Sequence, residues 1–170
     1  MLIVFGGLPG TGKTAIARSL VARFPSVYLR IDTIEHALLK ATALESIGPA
    51  GYVVAYELAR SNLALGMTVV ADCVNPLSVT REAWRAVAAS TSSALLEVEI
   101  VCSDPAEHRR RVEGRRTGVR DFMPPTWDTI LDHEYEAWTT SRLVIDSALV
   151  SASEAAKQVF ERSLGQSAGK

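Results

Sequence analysis

Residues 7–14 read Gly7-Leu8-Pro9-Gly10-Thr11-Gly12-Lys13-Thr14, GLPGTGKT, between an apolar run, Leu2 to Phe5, and a stretch of helical spacing, Ile16, Leu20 and Phe24. This matches GxxxxGK[ST] in its required setting of strand, loop and helix. Gly7, Gly10 and Gly12 let the backbone curl so that its N–H groups face inward, where side chains would block an anion. The start of the following helix adds further N–H groups and the positive end of its dipole. Lys13 suits the β- and γ-phosphates of a nucleotide, and the Thr14 hydroxyl suits Mg²⁺. The expected nucleotide-binding set in the loop is Leu8, Pro9, Gly10, Thr11, Gly12, Lys13, Thr14 and Ala15, with ATP and Mg²⁺ as the ligands.

Beyond the loop, short runs rich in Val, Ile and Leu recur at Leu2 to Phe5, Val27 to Ile31, Thr68 to Ala71, Leu95 to Val101 and Leu143 to Ile145. Such runs suit strands buried on both faces, and helical periods separate them, as in Tyr52, Tyr56, Ala59 and Leu63. Alternating strands and helices predict an α/β fold with a parallel sheet covered on both sides. Asp104, Pro105 and Glu107 predict a capping box, and Ser151 with Glu154 repeats it. Gly48, Pro49 and Gly51 are expected to break the chain before a helix over Tyr52 to Leu65, which Gly66 ends. The expected single domain spans residues 1–164, with a basic lid at about 113–125 (EGRRTGVRDFMPP) and a fraying tail at 165–170.

Two carboxylates follow strands at the end of the sheet where such folds place ligands. Asp32, in LRIDTIEHALL, either accepts a hydrogen bond and then a proton from an attacking hydroxyl, or caps the next helix with Glu35. Asp72, after TVVA, fits the surroundings of Mg²⁺, directly or through water; otherwise it starts the turn at Asn75 and Pro76. Arg111 and Arg115 lie four apart and share a helix face. That face serves adenine and the transferring phosphate, or is merely solvated. Arg60, Arg81 and Arg85 read as solvated surface, and Tyr52, Tyr56, Trp84, Trp127 and Trp138 as core more than ligand contacts.

The 170 residues are 48% hydrophobic and 22% charged, the balance of a globular chain, and the net charge of −1 gives no broad attraction to nucleic acid or anionic membranes. The first apolar run lacks a preceding basic segment and stops at Gly6, so it reads as a strand and not a leader. No run approaches a membrane span, which makes the cytoplasm the expected compartment. Cys73 and Cys102 form no CxxC pair and read as small buried side chains at strand ends.

GLPGTGKT, RID, VVAD, RVEGR and the basic lid together resemble the small P-loop kinases related to gluconate kinase, adenylylsulfate kinase, chloramphenicol phosphotransferase and the zeta-type toxins, chains often described as AAA family ATPases. The resemblance runs from residue 1 to about 160. It implies a three-layer α/β/α fold, a five-stranded parallel sheet in the order 2-3-1-4-5, an arginine-bearing lid and transfer of a phosphoryl group from ATP to a hydroxyl. By position it implies that Lys13, Asp32 and Arg115 are catalytic, that Thr14 and Asp72 serve the metal, and that Arg111, Asp146 and Ser147 approach the adenine. The implied partner is a small-molecule acceptor, with no signature for gluconate, adenylylsulfate or a nucleoside. A regulatory ATPase acting on a protein partner and a kinase of polynucleotide ends share the same loop and stand as alternatives.

Overall fold

A computed structural model describes residues 1–42, 44, 46–114 and 126–167. Five strands, β1 (Leu2–Gly6), β2 (Val27–Arg30), β3 (Val69–Asp72), β4 (Leu95–Val101) and β5 (Leu143–Asp146), form one parallel sheet in the order β2-β3-β1-β4-β5. The described helices are α1 (Lys13–Val21), α2 (Ile31–Thr42), α3 (Ala50–Ala64), α4 (Ser78–Ser90), α5 (Pro105–Glu113), α6 (Trp127–Leu131) and α7 (Ala152–Ser167). Among the described residues, none of them is long and apolar enough to cross a membrane.

Alternation along β1 builds a core on each face. Leu2 and Val4 join Val69, Ala71, Ala55, Ala59, Trp84 and Val87 under α3 and α4, whereas Ile3 and Phe5 join Val70, Ile16, Leu20, Ala156 and Val159 under α1 and α7. Ala55 and Ala59, one turn apart, let α3 approach the sheet closely. This is the three-layer arrangement and strand order that the resemblance implies.

The β4 face opposite Leu96, Val98 and Ile100 carries Glu97 and Glu99, both buried, and is covered by the irregular segment 135–142. Arg85 donates two bonds of 3.1 Å to Glu97 and one of 2.6 Å to Thr140, while Arg142 (2.5 Å) and the Tyr135 hydroxyl (3.1 Å) donate to Glu99. Arg81 clamps the same segment, donating to the carbonyls of Asn75, Pro76, Glu136 and Ala137 at 2.7–3.2 Å, with the Trp138 ring 4.2 Å from its guanidinium carbon. The expectation of solvated surface is therefore corrected for both arginines: Arg81 is 2% exposed. Arg81, Trp84 and Ala88 share the inner side of α4, and carbonyl dipoles replace the water that the cation loses. Arg60 is partly exposed and pairs with Glu57.

Several local expectations shift. Asp104 caps α5, accepting from the Ala106 and Glu107 amides, but the Glu107 carboxylate turns to Arg110 and Arg111 instead of reaching back. Their hydrogen bonds hold its pKa down at about 2. Gly51 lies inside α3, not before it, and the Glu35 side chain packs where a Cβ would stand, which leaves no room for a larger residue. The Ser151 hydroxyl accepts from the Glu154 amide, and α7 continues through residues 165–167, so the expected tail is helical there. Residues 168–170 lie outside the described residues. Cys102 is only half-buried, while Cys73 is fully buried and donates to the Phe5 carbonyl.

Two outcomes follow for stability. Replacing Arg81 by Ala leaves its carbonyls without their donor and is expected to cost about 3 kcal/mol, read as a lower denaturation midpoint in urea; a loss below about 1 kcal/mol would show that water takes over the role. Burial, with the Asp32 charge adding to it, pushes Glu35 up from 4.5 to about 6. Below the lower value both states are protonated; between the two the unfolded chain releases a proton that the native state keeps, so stability falls through this window and stays reduced above it. Glu35→Gln is thus expected to stabilise at pH 7 by roughly 1 kcal/mol, discounted for partial exposure, with no gain at pH 4.

Candidate active site

β1 delivers the chain into the glycine loop at the carboxyl edge of the sheet. Gly7 takes φ +135°, and a Cβ there would stand 2.2 Å from the Ile100 carbonyl oxygen of the neighbouring strand. Gly10, at φ +86°, is pressed by α5, since a Cβ would stand 2.5 Å from Val112 Cγ2. Lys13 Nζ donates to the Gly7 and Leu8 carbonyls at 2.7 and 2.8 Å, and the Thr11 hydroxyl to Leu8 at 2.9 Å, so the loop is braced from within.

Gly12, at φ +95°, precedes α1 and supplies no side-chain cap; the first helical bond runs from the Ile16 amide to the Gly12 carbonyl at 3.1 Å. A helix start without a side-chain acceptor, behind a concave left-handed turn, fits a chain of phosphates. Among the described residues there is no group of three His, Cys, Asp or Glu that could hold a metal alone. The donor set of one hydroxyl and one nearby carboxylate instead suits Mg²⁺ carried in on phosphate oxygens.

The loop opens into a cleft of about 490 Å³ lined by Pro9, Gly10, Gly12, Lys13, Thr14 and Ala15, by Asp32, Asp72, Cys73 and Val74, and by Arg111, Thr129, Ile130 and His133. Thr11 is buried behind it, and Leu8 faces a smaller cavity of about 150 Å³ on the other side of the loop. Asp32 is the second residue of α2, not the residue before it, so the helix begins two positions earlier than the capping-box reading needs. There its carboxylate gains from the helix dipole and bonds Arg30 at 3.0 Å. Asp72 closes β3, is 3% exposed and accepts from the Tyr28 hydroxyl at 2.7 Å.

Arg111 reaches from α5 to the turn after β5, donating to the Ser147 hydroxyl (2.8 Å) and carbonyl (3.0 Å) and to Glu107 (2.6 Å). Asp146 accepts from the amides of Ser103 and Ala148, both at 3.0 Å. Hydrogen bonding from Ser103 leads the causes that hold its carboxyl below the usual range. The cleft lining includes Arg111 but neither Asp146 nor Ser147. Arg115, Arg116 and Arg120, with the rest of 115–125, lie outside the described residues.

One contributor escaped the sequence reading. His108 Nε2 lies 2.8 Å from the Pro9 carbonyl oxygen, which as an acceptor requires the proton on that nitrogen, and Trp127 packs edge-on against the ring. The available signal was its spacing: His108 and Val112 are one turn apart on α5 and together support the glycine loop.

The same architecture recurs in solved structures of low sequence identity. The Chaetomium thermophilum Kti12 structure with ADP-AlF3 is 19% identical, covers 98% of each chain and has a TM-score of 0.73. The Mycobacterium tuberculosis APS kinase CysC with AMPPNP and APS is 23% identical over 94% of this chain and 95% of that one, with a TM-score of 0.64. A gluconokinase from Sinorhizobium meliloti is 16% identical over 97% and 96%, with a TM-score of 0.63. No curated protein matches the chain by sequence. The family model described as an AAA domain (AAA_33) matches residues 2–132, the span holding the glycine loop, both cleft carboxylates and α5, and the chain belongs to that family of P-loop proteins.

Proposed function

We propose that this chain is a cytoplasmic enzyme that moves the γ-phosphoryl group of ATP to a hydroxyl of a small molecule: a sugar, a nucleoside-type compound or an antibiotic. The observation that carries the reading is that one cleft is lined both by the phosphate-type loop, with Lys13 and Thr14, and by the carboxylates Asp32 and Asp72. A switch protein needs the loop and a metal-side carboxylate such as Asp72, but no base on an acceptor. Placing Asp32 across the same cleft supplies what transfer to an acceptor requires.

When bound, Mg²⁺ and ATP supply the transferable group and neutralise its charge. In this reading the loop amides and Lys13 hold the phosphates, Thr14 and Asp72 hold the metal, and Arg111 stands at the nucleotide side. Asp32 accepts the hydrogen bond of the acceptor hydroxyl, orients its oxygen and takes the proton. Arg115 is assigned to the transferring phosphate from the sequence alone.

The test is to incubate the protein with ATP, Mg²⁺ and a panel of hydroxylated metabolites and antibiotics, and to identify the phosphorylated product by mass. Asp32→Asn is expected to bind ATP normally and to lose on the order of 10²- to 10⁴-fold in transfer. Lys13→Ala is expected to lose nucleotide affinity itself. ADP formation that answers to no small acceptor but rises with a protein partner would overturn the assignment in favour of a regulatory ATPase.

A further inference from the structure

Arg30 ends β2 and stands beside Asp72 in the parallel register of β2 and β3. Its Nη2 donates to Asp32 Oδ2 at 3.0 Å, and its Nε lies 4.0 Å from Asp72 Oδ2. The Nε is buried and makes no hydrogen bond, so its action on Asp72 is electrostatic. The same Asp72 oxygen accepts from the hydroxyl of Tyr28, two residues earlier and hence on the same face of β2 as Arg30. Asp32 and Asp72 both line the cleft, whereas Arg30 and Tyr28 do not.

Two carboxylates in one wall repel each other, and a cation between them offsets that repulsion. A guanidinium suits the task because its rigid fork can address two partners while a lysine ammonium acts as a single point. Asp72 is 3% exposed, so water screens its interaction with Arg30 weakly, while Arg30 and Asp32, at 26% and 32%, stand partly in water.

We propose that Arg30 is a positioning residue that ties Asp32, on the acceptor side of the cleft, to Asp72, on the metal side, with Tyr28 fixing the orientation of Asp72. The inference rests on the role given above to Asp32. It adds that the two carboxylates are set as a unit by a side chain that touches neither substrate.

The experiment compares the full chain with Arg30→Met, Arg30→Lys, Asp32→Asn and the Arg30→Met/Asp32→Asn double variant. Four readings are taken: ADP released from Mg·ATP with water as the acceptor, affinity for a fluorescent ATP analogue, affinity of the protein–ATP complex for Mn²⁺, and melting temperature. Arg30→Met is expected to lower kcat about 10- to 100-fold and Mn²⁺ affinity several-fold while moving the ATP-analogue affinity less than about 3-fold, and Arg30→Lys to recover kcat to within about 5-fold. In the Asp32→Asn background, at saturating Mg²⁺ so that Asp72 is not limiting, the same change should alter kcat less than about 2-fold, because the base that Arg30 orients is gone. Equal losses in both backgrounds, or normal turnover in Arg30→Met beside an impaired Asp32→Asn, would overturn the role of Arg30 alone. Normal ADP release by Asp32→Asn would instead sink the reading of Asp32; unchanged Mn²⁺ affinity in Arg30→Met would then remove the tie as well. Should Arg30→Met melt below the assay temperature, Arg30→Lys carries the same cycle with its smaller expected effect.

Discussion

Parallel pairing of β1 with β3 is the constraint on which the site depends. The register sets Leu2 against Val69 and Phe5 against Asp72, so the strand that feeds the glycine loop ends level with the strand that ends in a carboxylate. Because β2 is registered on β3 in the same sense, Arg30 falls beside Asp72, and Asp32 follows within two residues. A slip of β3 by one residue would turn Asp72 to the other face and move Val69 and Ala71 out of the core under α3 and α4. Hydrophobic alternation and the placing of the polar groups are thus one condition.

The sheet could be read from the sequence because its strands are short, apolar and bounded by loop residues, and the boundaries fall within a residue or two of expectation. The glycine loop was legible for a different reason: closeness to Ile100 and to α5 leaves Gly7 and Gly10 no room for a side chain, so their identity is dictated by the backbone. Buried charge was not legible. Arg81 and Glu99 look like surface residues in a one-dimensional reading, and the segment that folds over β4, with the Asn75 and Pro76 carbonyls, supplies the acceptors, hydroxyl and counter-charge that make their burial tolerable. His108 was missed on similar grounds, since a lone histidine on a polar helix declares nothing until its partner, a loop carbonyl 99 residues earlier, is in place.

Two kinds of support therefore hold the cleft. Apolar packing fixes where the strands end and tolerates exchange among residues of similar volume. Polar supports such as Arg81 on its carbonyls, Arg111 on Ser147 and Arg30 between two carboxylates fix orientation, and each depends on direction as well as distance. The rest of the cleft has a third character. The cleft lining includes Thr129, Ile130 and His133, which belong to no strand, so that wall can vary while the sheet edge stays as it is.

The central place of β1 also bears on how the chain reaches its final form during synthesis. Its two neighbours, β3 and β4, lie at residues 69–72 and 95–101, so β1 has no partner until β3 is made and lacks its second until β4 follows. The glycine loop gains its Gly7 contacts to Val74 and Ile100 only with those two strands. Until that point an apolar strand and its loop wait unpaired, and chain order makes this the interval in which a chaperone has most to protect.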